Sequence, residues 1–311
     1  MMKDIIHFGD LHCTEKEPHR SSCLKFLDWL YENYNDCIII SGGDLFDRSS
    51  HRHDLVFEVI EKLKQFEDFR VVEGNHGKSL RLTSILTNLK HFPNITVYDL
   101  QTEFEINGIT FIALPSKYHS EKEYEKIEGV WDYSLNHFTP IQESFSNEGV
   151  EIKFKVNVAH VFSHIHRHAE YKDNFGNNLL ISGSVVNTRL GEQEWGKYIF
   201  KLNKTGYEKI AIPLYHDYVE IDFNSDLPEN KDNLYILKNC PTRTLAFEKY
   251  KDYYIHSVQL KVNNRTDAEQ EDATSFSNMN LSDRLNMFLS LDNINADIKK
   301  YSLDKLKNLG L

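Results

Sequence analysis

Apolar residues over the first two hundred positions fall into short runs separated, near the start, by two amphipathic stretches. The runs lie at Asp4–Phe8, Cys37–Ile40, Phe69–Val72, Ile95–Tyr98, Thr110–Leu114, Tyr133–Phe138, Val156–Phe162, Leu179–Ile181 and Lys197–Leu202, each of strand length. Between the first three, Ser22–Tyr34 and Asp54–Phe66 place apolar residues at i, i+3 and i+4, the period of a helix with one buried face. Strand–helix–strand alternation with nearly unbroken apolar strands predicts an α/β fold with parallel pairing and helices on the sheet faces. The closer spacing of the later strands predicts a second, more antiparallel sheet. Near Thr205 the pattern changes. YVEIDF, NLYILKN and YYIHSVQLKV read as strands of a small α+β module, 263–280 is polar and acidic, and 281–311 returns to helical periodicity. In that last stretch Leu285, Phe288 and Leu289 form one apolar patch and Leu303 and Leu306 another, with Ser282 and Ser302 as N-caps. The expected organisation is therefore a two-sheet domain over 1–205, a capping module over 206–265, an acidic linker over 266–280 and a helix–loop–helix over 281–311.

In open α/β sheets, functional side chains gather beyond the carboxyl ends of the strands. The first run ends in GDLH, which puts Asp10 and His12 on one side of an extended segment. The second ends in SGGDLFD with Asp44, and the third in VEGNHG with Asn75 and His76. DYSLNHF carries His137, and VNVAHVFSHIH carries His164 and His166, again two apart. GNH alone is more often an ordinary turn than a functional site. Together, though, these ends offer carboxylates, imidazoles and an amide oxygen without a thiolate, a donor set suited to Mn²⁺, Fe or Zn²⁺. They exceed what one tetrahedral ion needs. Two ions about 3.5–4 Å apart, bridged by a shared carboxylate, would use them all.

Composition narrows the setting. With 311 residues, 40% hydrophobic and 27% charged, the chain has the make-up of a soluble globular protein. No apolar run is long enough to span a membrane, and MMKDIIHFGD enters a strand without a signal-peptide core. The four cysteines (Cys13, Cys23, Cys37, Cys240) lack CxxC spacing and read as reduced thiols of a cytoplasmic protein. The net charge of −11 argues against a surface that grips nucleic acid unaided; such a role would need bound cations or a basic partner.

DLH, GGDLFD, GNH and the paired histidines of SHIH, in that order over roughly residues 4–190, resemble the motifs of the calcineurin-like metallophosphoesterases. Within that superfamily the chain is similar to the SbcD-type DNA-repair nucleases, including nuclease subunits of bacteriophage recombination endonucleases. The segments that carry this likeness are GDLFDR, NITVYD, GSVVNTRLGEQEWGKYIFKL and the IPL at 212–214. The resemblance implies a two-sheet metallophosphoesterase sandwich flanked by helices. It assigns Asp10, His12, Asp44 and His166 to one metal, with Asp44 bridging, and Asn75, His137 and His164 to the second. It makes His76 a non-ligand histidine near the scissile phosphate, able to protonate the leaving oxygen. It further implies two divalent ions, Mn²⁺ foremost; DNA as substrate; an SbcC-type SMC-like ATPase partner docked on the C-terminal apolar patches; a homodimer; and the bacterial or phage-infected cytosol. The corresponding function is a DNA nuclease subunit in recombination, repair or replication. The alternative is a stand-alone phosphoesterase acting on a nucleotide or phosphoprotein. A non-catalytic scaffold is opposed by the complete donor set.

Some positions depart from the family pattern or fall outside it. Gly77 stands where an acid usually follows GNH, which removes a support for His76, and Lys78 is a candidate phosphate contact instead. Ser163 replaces a glycine before the paired histidines. His137 lies in LNHFTP, without a distinctive motif; a ligand role is favoured there over a satisfied structural histidine. His160 reads as a core histidine and His168 as a candidate substrate contact. His51 and His53 follow the Asp44 loop, where related nucleases bring a histidine near DNA.

Overall fold

The computed structural model describes residues 3–76, 85–116, 127–141, 149–173 and 176–261. Gly77, Lys78, the acidic linker over 266–280 and the expected helix–loop–helix over 281–311 lie outside the described residues.

Two six-stranded sheets face each other. In the first, β1 (Ile5–Phe8), β2 (Ile38–Ser41), β3 (Asp68–Val72) and β4 (Ile95–Tyr98) are parallel neighbours. β11 (Tyr198–Asn203) and β12 (Gly206–Ala211) extend that sheet antiparallel on the β1 side. The second has the order β5 (Thr102–Ile106), β6 (Ile109–Leu114), β7 (Trp131–His137), β8 (Val156–Ser163), β10 (Asn178–Ile181) and β9 (Ala169–Lys172). Its three central pairings are parallel and only the two edge pairings are antiparallel, so the expected antiparallel character is corrected. The reason is connection length. The segments joining β6 to β7 and β7 to β8 exceed a dozen residues, enough to return a strand in the same direction.

Alternation along the strands explains the layering. Ile5, Ile38 and Ile40 point between the sheets, where they meet Phe111, Tyr133, Leu135 and Val161 of the second. Ile6, Phe8 and Ile39 point the other way, onto helices α1 (His19–Tyr34) and α2 (His53–Leu63), through Phe26, Leu27, Leu30, Leu55 and Val59. Arg20 of α1 donates to Glu58 of α2 at 2.7 Å and ties the two helices across their exposed edge. A ladder of stacked rings, Tyr98–Phe104–Phe111–Tyr133, runs from β4 of the first sheet into the second. The outer face of the second sheet is apolar too: Ile112, Leu114, Trp131, Phe162 and Ile181 bury against Phe138, Val150, Ile152 and Phe154.

The small module is displaced relative to its expected start at 206. Gly206–Ala211 is a strand of the first sheet, because it continues the β11 hairpin register through Tyr198↔Ala211. The module proper comprises β13 (Tyr218–Asp222), β14 (Leu234–Cys240), helix α3 (Arg243–Lys249) and β15 (Tyr254–Leu260). Thr242 caps α3 by accepting from Leu245 N at 3.2 Å, and Tyr235, Leu237, Cys240, Ala246 and Tyr250 form its core. Among the described residues no helix is long and apolar enough to cross a membrane.

Candidate metal centre

Parallel registry carries the motif residues to one end of the molecule. Phe8 pairs with Ser41 and Ser41 with Val71, so the chain leaves β1, β2 and β3 side by side, bearing Asp10 and His12, Asp44, and Asn75 and His76. His137 closes β7 and pairs with Ser163 of β8, which leads into His164 and His166. Both layers thus contribute from their carboxyl ends.

The turns that follow are tight. His12, Asp44 and His164 all adopt positive φ, at 51°, 42° and 83°, a region that side-chain-bearing residues seldom occupy and that here accompanies function. The Asp44 carbonyl accepts from His12 N at 2.8 Å and from Leu11 N at 3.2 Å, locking the first two turns together. Glycine is required twice beside them. A Cβ on Gly43, which sits at φ 129°, would come within 2.2 Å of His137 Nδ1, and one on Gly74 within 2.0 Å of Asp44 Oδ1.

All eight predicted side chains meet here. Asp10, His12 and His166 form one compact group of possible ligand atoms, and Asp44, His137 and His164 another; His12, Asp44 and His76 form a third, overlapping group. Asp44 is central: its Oδ2 lies 3.0 Å from His137 Nε2 and 3.8 Å from His12 Nε2, while Oδ1 accepts from His76 N at 2.9 Å. Asn75 Oδ1 lies 3.0 Å from His137 Nε2 and 2.9 Å from His164 Nδ1. Asp10 accepts from His164 N through both oxygens, at 3.0 and 3.1 Å.

The donor atoms fit a divalent pair on geometric grounds. His137 Nδ1 donates to the Gly42 carbonyl at 2.9 Å, so in the neutral ring Nε2 bears a lone pair, yet two oxygens face it at 3.0 Å. His12 Nε2 and His166 Nε2 likewise face each other at 3.0 Å. Nitrogens and oxygens gathered this closely suit a cation held between them. Separations of that size match neighbouring vertices of a coordination octahedron with bonds of about 2.1 Å, whose edge is about 3.0 Å. The position of His137 also favours a ligand role over a purely structural one, since its free nitrogen faces the cluster.

Without metal, a proton takes the cation's part at His137. Burial alone would lower its basicity, but the Asp44 and Asp10 carboxylates and the Gly42 carbonyl raise it to about 9. Burial opposes ionisation of Asp44 as well; the facing His137 and His12 nevertheless hold its carboxyl well below the usual range. His164 is pushed down to about 4 by burial and by the neighbouring His137 charge. The sign of the stability effect follows. Because the folded value of His137 exceeds its ordinary 6.5, its contribution is complete below pH 6.5 and disappears as pH rises through 9. Metal-free protein is therefore expected to lose thermal stability across that window relative to a His137→Asn variant, by at most about 3 kcal/mol. Calorimetric melting of both proteins from pH 6 to 10 checks this; a difference that holds steady or grows with pH refutes it.

Around the donors, the other positions singled out in the sequence and lying among the described residues are placed as follows. His76 Nδ1 donates to the Asp47 carbonyl at 2.7 Å, so a backbone oxygen orients the ring despite the glycine at position 77. Ser163 is buried against Ser182 at 3.1 Å, and the hydroxyl is accommodated where the family has glycine. His160 is a core histidine, bonded to Ser134 Oγ at 2.7 Å and packed on Phe154. His168 is not directed at the centre: it stacks near Tyr198 and Phe200 and bonds the Ile181 carbonyl at 2.8 Å. His51 pairs with Glu15 at 2.9 Å, and His53 begins α2, exposed.

One group escaped the sequence reading. His166 Nδ1 faces Glu192 Oε1 at 2.8 Å, and Glu192 is buried with Thr188, Ser184 and Lys197. Burial would raise the Glu192 carboxyl, but His166, Lys197 and Thr188 N bring it down to about 2. The clue available was the charged cluster of Arg189, Glu192, Glu194 and Lys197 in GSVVNTRLGEQEWGK, close after the paired histidines.

No curated protein matches the chain. Two solved structures that are similar to it are a novel archaeal phosphodiesterase (15% identity, TM-score 0.40, 67% of this chain and 99% of that one) and a conserved uncharacterized protein of Streptococcus pneumoniae TIGR4, a predicted phosphoesterase (11% identity, TM-score 0.31, 68% and 98%). Residues 3–180, more than half of the chain, match the calcineurin-like phosphoesterase family, and the chain belongs to that family.

Proposed function

We propose that the protein is the nuclease subunit of a DNA-processing complex, hydrolysing phosphodiester bonds with two divalent ions, Mn²⁺ foremost, beside an SbcC-type ATPase. The observation that carries the phosphodiesterase reading is the convergence of Asp10, His12, Asp44, Asn75, His137, His164 and His166 from two sheets onto separations of about the spacing of metal ligands. Asp10, His12 and His166 would hold one ion, Asn75, His137 and His164 the other, with Asp44 between. Ions held there supply electrostatic stabilisation of the charge that develops on the phosphoryl group. The chain's own residues do the rest. Asn75 contributes a neutral oxygen, which avoids over-neutralising the pair. His76, anchored through Nδ1 to the Asp47 carbonyl, presents Nε2 to the substrate side, and in its cationic form passes that proton to the departing oxygen.

DNA as substrate is supported by the segments that resemble SbcD-type nucleases and by the additional module over β13–β15. The charge of −11 favours a second reading, a stand-alone phosphoesterase on a nucleotide or phosphoprotein, because an acidic surface repels a long polyanion. An ATPase partner would remove that objection by supplying the basic track. The purified protein with Mn²⁺, offered linear duplex DNA, single-stranded DNA and bis-nitrophenyl phosphate, separates the two. Degradation of DNA, alone or after addition of the ATPase, is the expected result. Cleavage confined to the small ester under both conditions would establish the second reading.

A further inference from the structure

We propose that Glu192 is a positioning residue that decides which nitrogen of His166 carries the ring proton, keeping Nε2 bare toward the metal centre; this rests on the metal-centre reading above. The two carboxylate oxygens of Glu192 have separate duties. Oε2 accepts from Thr188 N at 2.9 Å and faces the Lys197 ammonium at 3.4 Å and Ser184 Oγ at 3.3 Å. Oε1 faces His166 Nδ1 at 2.8 Å and Thr188 Oγ1 at 2.7 Å, and Thr188 Oγ1 itself lies 2.7 Å from His166 Nδ1. Lys197 also donates to Ser184 Oγ at 2.9 Å, and both charged side chains are buried, 2% and 5% exposed. A carboxylate only accepts hydrogen bonds, so Thr188 Oγ1 gives its proton to Oε1 and offers Nδ1 a lone pair, and the ring places its own proton on Nδ1. Nε2, 3.0 Å from His12 Nε2, is then a lone-pair donor. This arrangement is the carboxylate–imidazole relation that steadies many metal ligands. The distinctive element here is that the carboxylate is itself held through Oε2 by a buried cation and a backbone N–H.

That lock makes the isosteric variant informative. In Glu192→Gln the amide nitrogen cannot occupy the Oε2 position, where Thr188 N and Lys197 already donate. The amide oxygen must go there, and the NH₂ group is left facing His166 Nδ1. That NH₂ group also faces Thr188 Oγ1, so the hydroxyl proton turns toward Nδ1, which becomes an acceptor, and the ring proton moves to Nε2, into the metal centre. Neither the shape nor the volume of the side chain has changed; only the direction of one hydrogen bond has.

The test is ¹⁵N–¹H correlation of histidine side chains in the metal-free full-length protein, with His166 assigned and neutral, alongside calorimetric titration with Mn²⁺. Wild type should show the proton on Nδ1, and Glu192→Gln should show it on Nε2 with Mn²⁺ bound about 10- to 100-fold more weakly. Thr188→Val keeps the carboxylate and should keep the Nδ1 proton. A wild-type ring protonated on Nε2 overturns the proposal without any variant. So does a Gln variant that retains the Nδ1 proton, including one that binds Mn²⁺ more weakly through simple loosening. Failure of wild type to bind Mn²⁺ would instead overturn the metal-centre reading, and the tautomer measurement would still report on Glu192 by itself.

Discussion

Replacing Asp44 by asparagine is expected to abolish metal-dependent ester hydrolysis, a fall of about 10³-fold or more in turnover, as for other central electrostatic groups. The side chain faces donors of both groups, with His137 Nε2 at 3.0 Å and His12 Nε2 at 3.8 Å from Oδ2, so one neutralised oxygen weakens both ion positions together. The fold should survive. Removing one partner of a buried ion pair commonly costs about 3–5 kcal/mol because the other charge is stranded. His137 escapes that cost by releasing its proton, since Nδ1 still donates to Gly42 O and Nε2 can accept from the new amide. Metal stoichiometry by elemental analysis, turnover of bis-nitrophenyl phosphate and a melting curve near neutral pH check the three parts. A variant that holds two ions and turns over at the wild-type rate would dismiss Asp44 as the bridging group.

His76→Ala should behave differently, and the difference depends on the leaving group. On DNA, the proposed substrate, an alkoxide departs, and loss of the acid is expected to cost about 10²- to 10⁴-fold in turnover. On bis-nitrophenyl phosphate the nitrophenolate leaves without needing a proton, and the loss should be slight. Metal content should be retained, because the eight converging side chains include seven others. The ring's setting is compatible with this role: Nδ1 is committed to the Asp47 carbonyl and its backbone N to Asp44 Oδ1, and neither bond engages Nε2. Equal losses on both substrates, together with a lost ion, would show His76 to be a ligand, a role its proximity to His12 and Asp44 also permits.

The strands that build the centre were legible because they are buried on both faces. Ile38–Ser41 and Val156–Ser163 are almost wholly buried, so their apolar runs leave little choice of reading. Two strands went unread, Thr102–Ile106 and Ala169–Lys172, and both are edges of the second sheet. In TEFEI and AEYK every second side chain faces water, and glutamates there break the apolar run that marks an inner strand. Gly206–Ala211 was misplaced for a similar reason, since an exposed edge hairpin resembles the start of a new module. The candidate ligands just beyond β1, β2 and β3 could be found from strand ends alone. Glu192 could not, because nothing in a one-dimensional pattern says that a loop residue beyond β10 folds back behind His166 and meets Lys197 in the interior. The parallel core of the second sheet was hidden in the length of connections, which are informative only once the strands on either side are known to be neighbours.

The turns holding His12, Asp44 and His164 belong to different layers, the first two to one sheet and the third to its companion. Cations seated among them would act as rivets through the sandwich, since prying the layers apart destroys both coordination shells at once. Ions that bind only the intact arrangement, at a hundredfold excess over their dissociation constant, contribute about 2.7 kcal/mol against unfolding. Metal supply would then govern how long the chain persists as well as how fast it works.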